Sequence, residues 1–68
     1  MKDYSKFLHK KIKVICSDDK KFIGEVVSFG GNVQGKEEYG RDEDFICIYT
    51  GDSEYVLFRD EIRGIEEV

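Results

Sequence analysis

The chain has 68 residues, of which 15 are acidic and 11 are basic, and its net charge at pH 7 is −4. A chain of this length forms one domain, expected over 1–68, and it buries too little surface to be stable without a disulfide, a metal or oligomerisation. The acidic balance weighs against non-specific binding of nucleic acid, because that affinity comes from positive charge close to phosphate.

The cysteines and the histidine suggest neither a metal site nor a nucleophile. Cys16 and Cys47 lie inside apolar runs and are predicted to be core thiols. His9 is the only histidine, and no motif supplies it with further metal ligands. No apolar stretch has the length of a signal peptide or a membrane span. We therefore expect a cytoplasmic protein with no cofactor, metal or membrane contact, which gains stability as a homo-oligomer.

A short helix is predicted at the N-terminus, over about 3–10. Asp3 is a suitable N-cap, and Tyr4, Phe7 and Leu8 are spaced to share one helical face. Two helical turns are not stable alone in water, so this helix is expected to dock on the rest of the domain.

Two strands are predicted next, over about 11–17 and 21–29. From Ile12 onward apolar and polar residues alternate, which is typical of a half-buried strand. Gly24 lies inside the second strand, where a glycine indicates a bulge, a sharp bend or close backbone approach.

The segment 30–44 is predicted to be a long loop, because it holds four glycines, many charges and no sustained apolar period. The strand predicted at 45–50 is apolar on both faces and is expected to lie inside the sheet. Two further strands are predicted at 55–59 and 62–68, with one 3₁₀ turn at 60–62.

Five short strands with a bent second strand predict a mainly β fold, a small barrel. The segment LHKKIKVICSDDKKFIGEVVSF, from Leu8 to Phe29, resembles the first Sm motif of the Sm and Sm-like proteins. It has the leading leucine, the alternating strand, the polar turn and then aromatic-x-Gly-x-apolar. The resemblance implies a strongly bent, five-stranded SH3-like barrel with a short N-terminal helix. It also implies homo-oligomeric rings, joined fourth strand to fifth strand, that contact single-stranded RNA.

In that family the loop after the motif cradles an RNA base, with Asp directly after the aromatic residue and Asn four residues later. Gly30 and Gln34 occupy those positions here, with Asn32 between them. The resemblance thus makes Asn32 and Gln34 candidates for reading a base edge; alternatively, they hydrogen-bond to the loop backbone. Tyr39 is a candidate for stacking on a base, or it covers the barrel mouth.

The family's second motif, Ile-Arg-Gly, can be placed in two ways. It occurs literally around Arg63, but four residues then remain for the last strand. We prefer to place it around Arg59, at the end of the fourth strand, since 62–68 is then available to form the fifth. Arg59 and Arg63 are both candidate RNA-binding residues, and the preferred placement favours Arg59. The competing interpretation is that Arg59 pairs with Asp60 or Glu61.

The sequence is compatible with more than one functional class. The chain is interpreted as an Sm-like module that forms a ring on single-stranded RNA. The alternative is a small β-barrel that binds a partner protein and no nucleic acid, which the acidic charge and the altered loop favour. An enzyme is not expected, because no acid–base pair or nucleophile stands out. The run Asp42–Asp44 lacks the spacing of a calcium loop and is interpreted as solvated charge.

Overall fold

A computed structural model of the chain describes residues 4–68. Its helical elements are a 3₁₀ turn at Tyr4–Phe7, the helix α1 at Asn32–Tyr39 and a second 3₁₀ turn at Arg59–Glu61. Its strands are β1 (Lys11–Cys16), β2 (Lys21–Gly30), β3 (Phe45–Tyr49), β4 (Glu54–Phe58) and β5 (Ile62–Glu67). All five predicted strands are present, and each end lies within one residue of its predicted position.

The N-terminal helix is shorter and tighter than predicted. It is a single 3₁₀ turn, and the amide of Leu8 donates to the carbonyl oxygen of Ser5 at 3.1 Å. His9 then takes a positive φ of 66°, which ends the helical run before β1. The expected docking is confirmed, because Tyr4 is buried and Phe7 packs against the same core. The predicted cap, Asp3, lies outside the described residues.

The five strands form one antiparallel sheet in the order β4-β3-β2-β1-β5. The first half of β2 pairs with β1, and its second half pairs with β3. The strand bends at Gly24, where an added Cβ would lie 2.4 Å from the carbonyl oxygen of Tyr49. A register shift between Val26 and Ser28 adds to the bend. The predicted role of Gly24 in close backbone approach is confirmed.

The bend brings non-adjacent strands into contact. Phe22 at the start of β2 and Tyr55 on β4 pack with their ring centroids 4.9 Å apart, although β3 separates these strands in the sheet. The sheet therefore curls over its own core. Among the described residues β4 and β5 do not pair with each other, so the sheet keeps two outer edges. No helix in the described part of the chain has the length and apolar character to cross a membrane.

Apolar side chains fill both faces of β3. Ile46 and Ile48 point into the main core, which includes members from every strand and the N-terminal turn. Phe45 and Cys47 point the other way and form a second cluster with Phe58. The prediction that this strand is internal and apolar on both faces is confirmed, as is the burial of Cys16 and Cys47 as free thiols.

The predicted loop 30–44 is wrong in its central part, which is the helix α1. Three of its glycines have specific positions in this helix. Gly31 is the N-cap, and Gly40 is a left-handed C-cap with φ 73°. Gly35 is buried within the helix, where an added Cβ would lie 2.5 Å from the carbonyl oxygen of Glu43. Tyr39, at the helix end, packs edge-on against Phe45 at a centroid distance of 5.2 Å. The helix thus covers the second face of β3.

Candidate functional site

An open cleft of about 380 Å³ lies where the segment containing α1 meets the end of β4. Its lining residues are Asn32, Asp42, Glu43, Asp44 and Arg59. We call it the Arg59 cleft. It brings together two of the five predicted RNA-binding residues, Asn32 and Arg59, and joins them to three carboxylates that were interpreted as solvated charge.

The sheet register explains why Asp44 and Arg59 meet. Phe45 at the start of β3 is opposite Phe58 at the end of β4. The residue before β3 therefore lies beside the residue after β4, and the Arg59 amide donates to the Asp44 carbonyl oxygen at 2.8 Å. Arg59 directly follows β4 and begins the 3₁₀ turn that leads to β5, one residue beyond the strand in which the preferred placement of the second motif puts it.

Both predicted RNA-binding side chains in the cleft, those of Asn32 and Arg59, contact carboxylates. The Asn32 side-chain amide donates to Asp42 Oδ1 at 2.8 Å. Arg59 Nε lies 3.6 Å from Glu43 Oε1. The expected pairing of Arg59 with Asp60 or Glu61 is wrong, because Asp60 accepts from Arg41 and Glu61 accepts from the amide of Phe58.

Asp44 differs from the other two carboxylates of the cleft. It is the one buried polar or charged residue in the described part of the chain, with 8% of its surface exposed. It borders the open cleft, and its carboxylate is not among the buried side-chain atoms of residues 4–68 that lack a hydrogen-bond partner. A Cβ on Gly31 would lie 3.9 Å from Asp44 Oδ1, so the carboxylate is close to the start of α1.

Charges of the Arg59 cleft also act on the phenol of Tyr4, which is buried in the main core. Tyr4 is 3% exposed, and its hydroxyl has no hydrogen-bond partner among the described residues. Burial raises the pKa of this phenol above its usual value, and Asp44 and Glu43 raise it further while Arg59 lowers it. The hydroxyl is thus protonated at neutral pH. The sequence predicts Tyr4 only as an apolar packing residue.

The other predicted RNA-binding residues lie elsewhere and are also engaged. Gln34 Nε2 donates to Glu38 Oε2 at 2.6 Å along α1. Arg63 Nη1 lies 2.7 Å from Asp19 Oδ1, at the turn between β1 and β2. The side-chain amides of Asn32 and Gln34 both donate to carboxylates. The alternative prediction, that they hydrogen-bond to loop backbone, is therefore wrong.

Tyr39 lies at the end of α1 and keeps 44% of its surface exposed. It packs edge-on against Phe45 and Phe58, at centroid distances of 5.2 and 5.7 Å. Desolvation, followed by Cys47 and Glu38, raises the pKa of the Tyr39 phenol. Its contacts make it part of the cover over the second face of the sheet.

Arg41 has a structural role that the sequence interpretation missed. Its guanidinium donates to both carboxylate oxygens of Asp60, at 2.7 and 2.6 Å, and lies over the Phe58 ring at 4.4 Å from the centroid. A bidentate pair of this kind fixes orientation as well as distance. It ties the segment after α1 to the turn after β4, and thereby holds the two walls of the Arg59 cleft together.

The two cysteines and the histidine lie in different parts of the described chain. Cys16 and Cys47 are buried in different apolar clusters. His9 is largely exposed, with Nδ1 3.9 Å from Glu25 Oε2. Within residues 4–68 no group of three or more His, Cys, Asp or Glu side chains is arranged to hold a metal ion.

Comparison with known proteins gave no match to a family model, to a curated protein or to a solved structure.

Proposed function

We propose that this chain is a non-catalytic binding module of the Sm-like type, a small barrel that self-associates and binds a segment of a partner protein at the Arg59 cleft. The observation that carries the proposal is the charge of that cleft. Three carboxylates against one guanidinium give it a formal charge of −2, and its one cation already faces Glu43.

The barrel is supported by the strand order and by the curl of the sheet. The order β4-β3-β2-β1-β5 makes the first and last strands neighbours, which is how a small barrel brings its chain ends together. The contact between Phe22 and Tyr55 draws β4 over the start of β2.

Self-association is supported by the two outer edges of the sheet. Free strand edges attract further strands, and β4 and β5 each have one side without a partner strand in the described chain. Pairing the β4 edge of one copy with the β5 edge of the next would cover both. It would also supply the buried area that a chain of 68 residues lacks.

The contacts of the predicted RNA-binding side chains favour a protein segment over RNA as the ligand. Asn32, Gln34, Arg59 and Arg63 each face a carboxylate of the same chain. An arriving phosphate would meet these carboxylates before it met an unpaired cation, so the electrostatic attraction on which RNA affinity depends is missing.

Single-stranded RNA is the second candidate, because Asn32 and Arg59 do share one cleft. An amide and an arginine are suitable groups for reading a base edge and stacking on its face. This binding mode would require that the pairs with Asp42 and Glu43 open.

Two measurements test the proposal. Light scattering after size-exclusion chromatography is expected to give a multiple of the 7.9 kDa protomer mass; a monomer at all concentrations contradicts self-association. Labelled oligo-U and oligo-A, titrated at about 50 mM salt where phosphate attraction is strong, are expected not to bind. Saturable binding that Arg59→Ala weakens more than Arg63→Ala would replace the protein-binding proposal with the RNA candidate.

A further inference from the structure

The helix α1 covers the second cluster but takes no part in the main core. At the middle of the helix the Gly35 backbone lies against Phe45, because a Cβ there would be 3.4 Å from the Phe45 ring. At the end of the helix Tyr39 packs edge-on against Phe45 and Phe58. Among the described residues, the main core has members from the strands and the N-terminal turn and none from α1. The main core can therefore stay packed when α1 moves.

α1 has little stability of its own. A helix of eight residues is too short to be stable alone, and Gly35 in its interior lowers its helix propensity. Glu37 and Glu38 lie near its carboxyl end, where the helix dipole disfavours negative charge. Val33 is 69% exposed, so it adds little apolar burial. The helix is therefore held mainly by the contacts of Gly35 and Tyr39 with the second cluster.

A glycine stands at each end of α1, and both glycines have room to rotate. Gly31 is the N-cap, and Gly40 is the C-cap with φ 73°. A Cβ on Gly40 would lie in open space, and one on Gly31 would have Asp44 Oδ1, at 3.9 Å, as its contact. Hinges in proteins are a few residues that absorb large changes in φ and ψ. These two glycines are suited to be the hinges of α1.

The chain on the outer side of each hinge is fixed. The residue before the first hinge, Gly30, pairs with Phe45 across β2 and β3. The residue after the second hinge, Arg41, donates to both carboxylate oxygens of Asp60. A movement about the two hinges is thereby confined to α1.

We infer that α1 is a lid, which opens about Gly31 and Gly40 while the five-stranded sheet stays folded, and that its opening exposes Cys47. Proteins open locally in units that have few buried apolar contacts, and α1 is such a unit within the described chain.

The position of the lid affects the Arg59 cleft. Asn32, the first residue of α1, forms part of the cleft wall and donates to Asp42 Oδ1. The cleft is therefore complete only when the lid is closed. The movement goes beyond the proposed function and does not depend on which ligand the cleft binds.

The reactivity of the Cys47 thiol measures lid opening. Cys47 is 6% exposed in the cluster that α1 covers, and Cys16→Ala leaves it as the one thiol of the chain. The rate of its reaction with DTNB, relative to that of a free thiol, gives the opening constant. We expect this constant to exceed the global unfolding constant, from urea denaturation of the same variant, at least about tenfold. It should change little at low urea, since opening of α1 exposes little surface.

Two matched glycine variants, made in the same background, locate the opening at α1. Gly40→Ala places an alanine at φ 73°, and opening of the lid relieves this strain, so labelling of Cys47 should become about fivefold to thirtyfold faster. Gly51→Ala introduces strain at φ 105° in the turn between β3 and β4, where the new Cβ also lies in open space. That turn stays folded when the lid opens. Gly51→Ala should therefore lower global stability and leave the labelling rate unchanged.

Amide hydrogen exchange of the unaltered chain is a second measurement, which needs no substitution. The amides of Gly35 and Gly40 donate to carbonyl oxygens of α1 and its N-cap, whereas the amide of Val26 donates to the Lys10 carbonyl oxygen beside the sheet. We expect the protection of the Gly35 and Gly40 amides to be at least about tenfold lower than that of the Val26 amide.

Three outcomes overturn the inference. If Gly40→Ala and Gly51→Ala accelerate labelling equally, Cys47 becomes exposed only by global unfolding. If neither variant changes the rate, the reagent reaches the thiol with α1 in place. Equal protection of the α1 amides and the Val26 amide would mean that helix and sheet open together.

Discussion

The backbone amide of Arg59 donates a hydrogen bond to the carbonyl oxygen of Asp44, with 2.8 Å between the two atoms. The bond extends the β3–β4 ladder by one step beyond the pair Phe45 and Phe58. It fixes the positions of two residues that are far apart in the sequence, and it needs neither of their side chains. Substitutions of the Asp44 or Arg59 side chain can therefore change the charge of the cleft without removing this backbone bond.

Removing the Arg59 side chain should cost little stability. Arg59→Ala keeps the backbone bond and loses an ion pair with Glu43 whose arginine side chain is 50% exposed. Exposed pairs contribute about 0–1 kcal/mol, so we expect a decrease below about 1 kcal/mol in the free energy of unfolding, measured by urea denaturation. Arg63→Ala, which loses an exposed pair with Asp19, is the matched control. A decrease above about 2 kcal/mol in Arg59→Ala alone would mean that the side chain supports the fold.

Gly24→Ala should be strongly destabilising. The new Cβ would lie 2.4 Å from the Tyr49 carbonyl oxygen and 2.8 Å from its carbon, both of them backbone atoms that cannot rotate away. Overpacking of this kind costs about 1–3 kcal/mol, to be read from urea denaturation. Gly64→Ala on β5 places its Cβ in open space and should change stability by less than about 0.5 kcal/mol. Equal effects at both positions would contradict the close approach at Gly24.

Gly35→Ala should also destabilise the chain, against the usual preference of helices for alanine. In an exposed helix this change gains about 1 kcal/mol. Here the Cβ would lie 2.5 Å from the Glu43 carbonyl oxygen and 2.8 Å from that of Arg41. Glu37→Ala, on the exposed part of α1, should be neutral or slightly stabilising. Thermal unfolding followed by circular dichroism distinguishes the two, and a rise in melting temperature for Gly35→Ala would refute the packing described for α1.

Tyr4→Phe should stabilise the protein. The change removes a buried hydroxyl that has no partner in the described chain, a group whose burial costs about 1–3 kcal/mol. We expect a gain of about 1 kcal/mol in the free energy of unfolding. Tyr49→Phe loses an exposed hydroxyl that donates to the Gly51 carbonyl oxygen, and it should be neutral or slightly destabilising. A loss of stability in Tyr4→Phe would mean that the hydroxyl is already satisfied.

Stability should fall as the pH rises above about 9. Burial raises the pKa of the Cys16 thiol above its usual 9.0, with Asp18 and Glu61 adding to the effect, and burial raises the pKa of Tyr4 above 10.0. In this range the unfolded chain releases protons that the folded chain retains, so each further increase in pH favours unfolding. The contributions of the protonated Cys16 thiol and Tyr4 phenol to stability are fully present below pH 9. They are lost as the pH rises through the pKa values of these two groups in the folded chain.

Urea denaturation between pH 7 and pH 11 measures this dependence. Tyr4→Phe should flatten the decline above pH 10, and Cys16→Ala should flatten its onset near pH 9. A stability that is constant over the whole range would contradict the burial of both groups.

The strands were predictable because their signals are local. The alternation from Ile12 and the apolar run from Phe45 both follow from which side chains face the core, and a strand repeats that pattern every two residues. Gly24 was predictable for the same reason, since a glycine that interrupts such a pattern indicates a bend or a close backbone contact.

The helix α1 was missed because its signal is not local. Its residues show no apolar face of helical period, and glycines at this density are typical of loops. The sequence of β3 nonetheless indicates that a second apolar layer is needed, because Phe45 and Cys47 face away from the main core. Tyr39 supplies part of that layer.

The cleft was only partly predictable. Asn32 and Arg59 were found by resemblance to a motif, but their carboxylate partners depend on how residues far apart in sequence meet. The spacing of Tyr4 predicted that its ring is buried, but spacing does not predict the surroundings of its hydroxyl. The contacts of Asn32 with Asp42 and of Arg59 with Glu43 depend on the pairing of β3 with β4.

The two-sided burial of β3 has a consequence for solubility during folding and turnover. If α1 leaves its place, Phe45 and Phe58 are uncovered on a hairpin whose β4 already forms an edge of the sheet. An uncovered apolar face beside a free edge is the kind of surface that templates aggregation. The helix of eight residues therefore protects the chain from misassembly, and the risk of aggregation depends on how often α1 opens rather than on how often the whole domain unfolds.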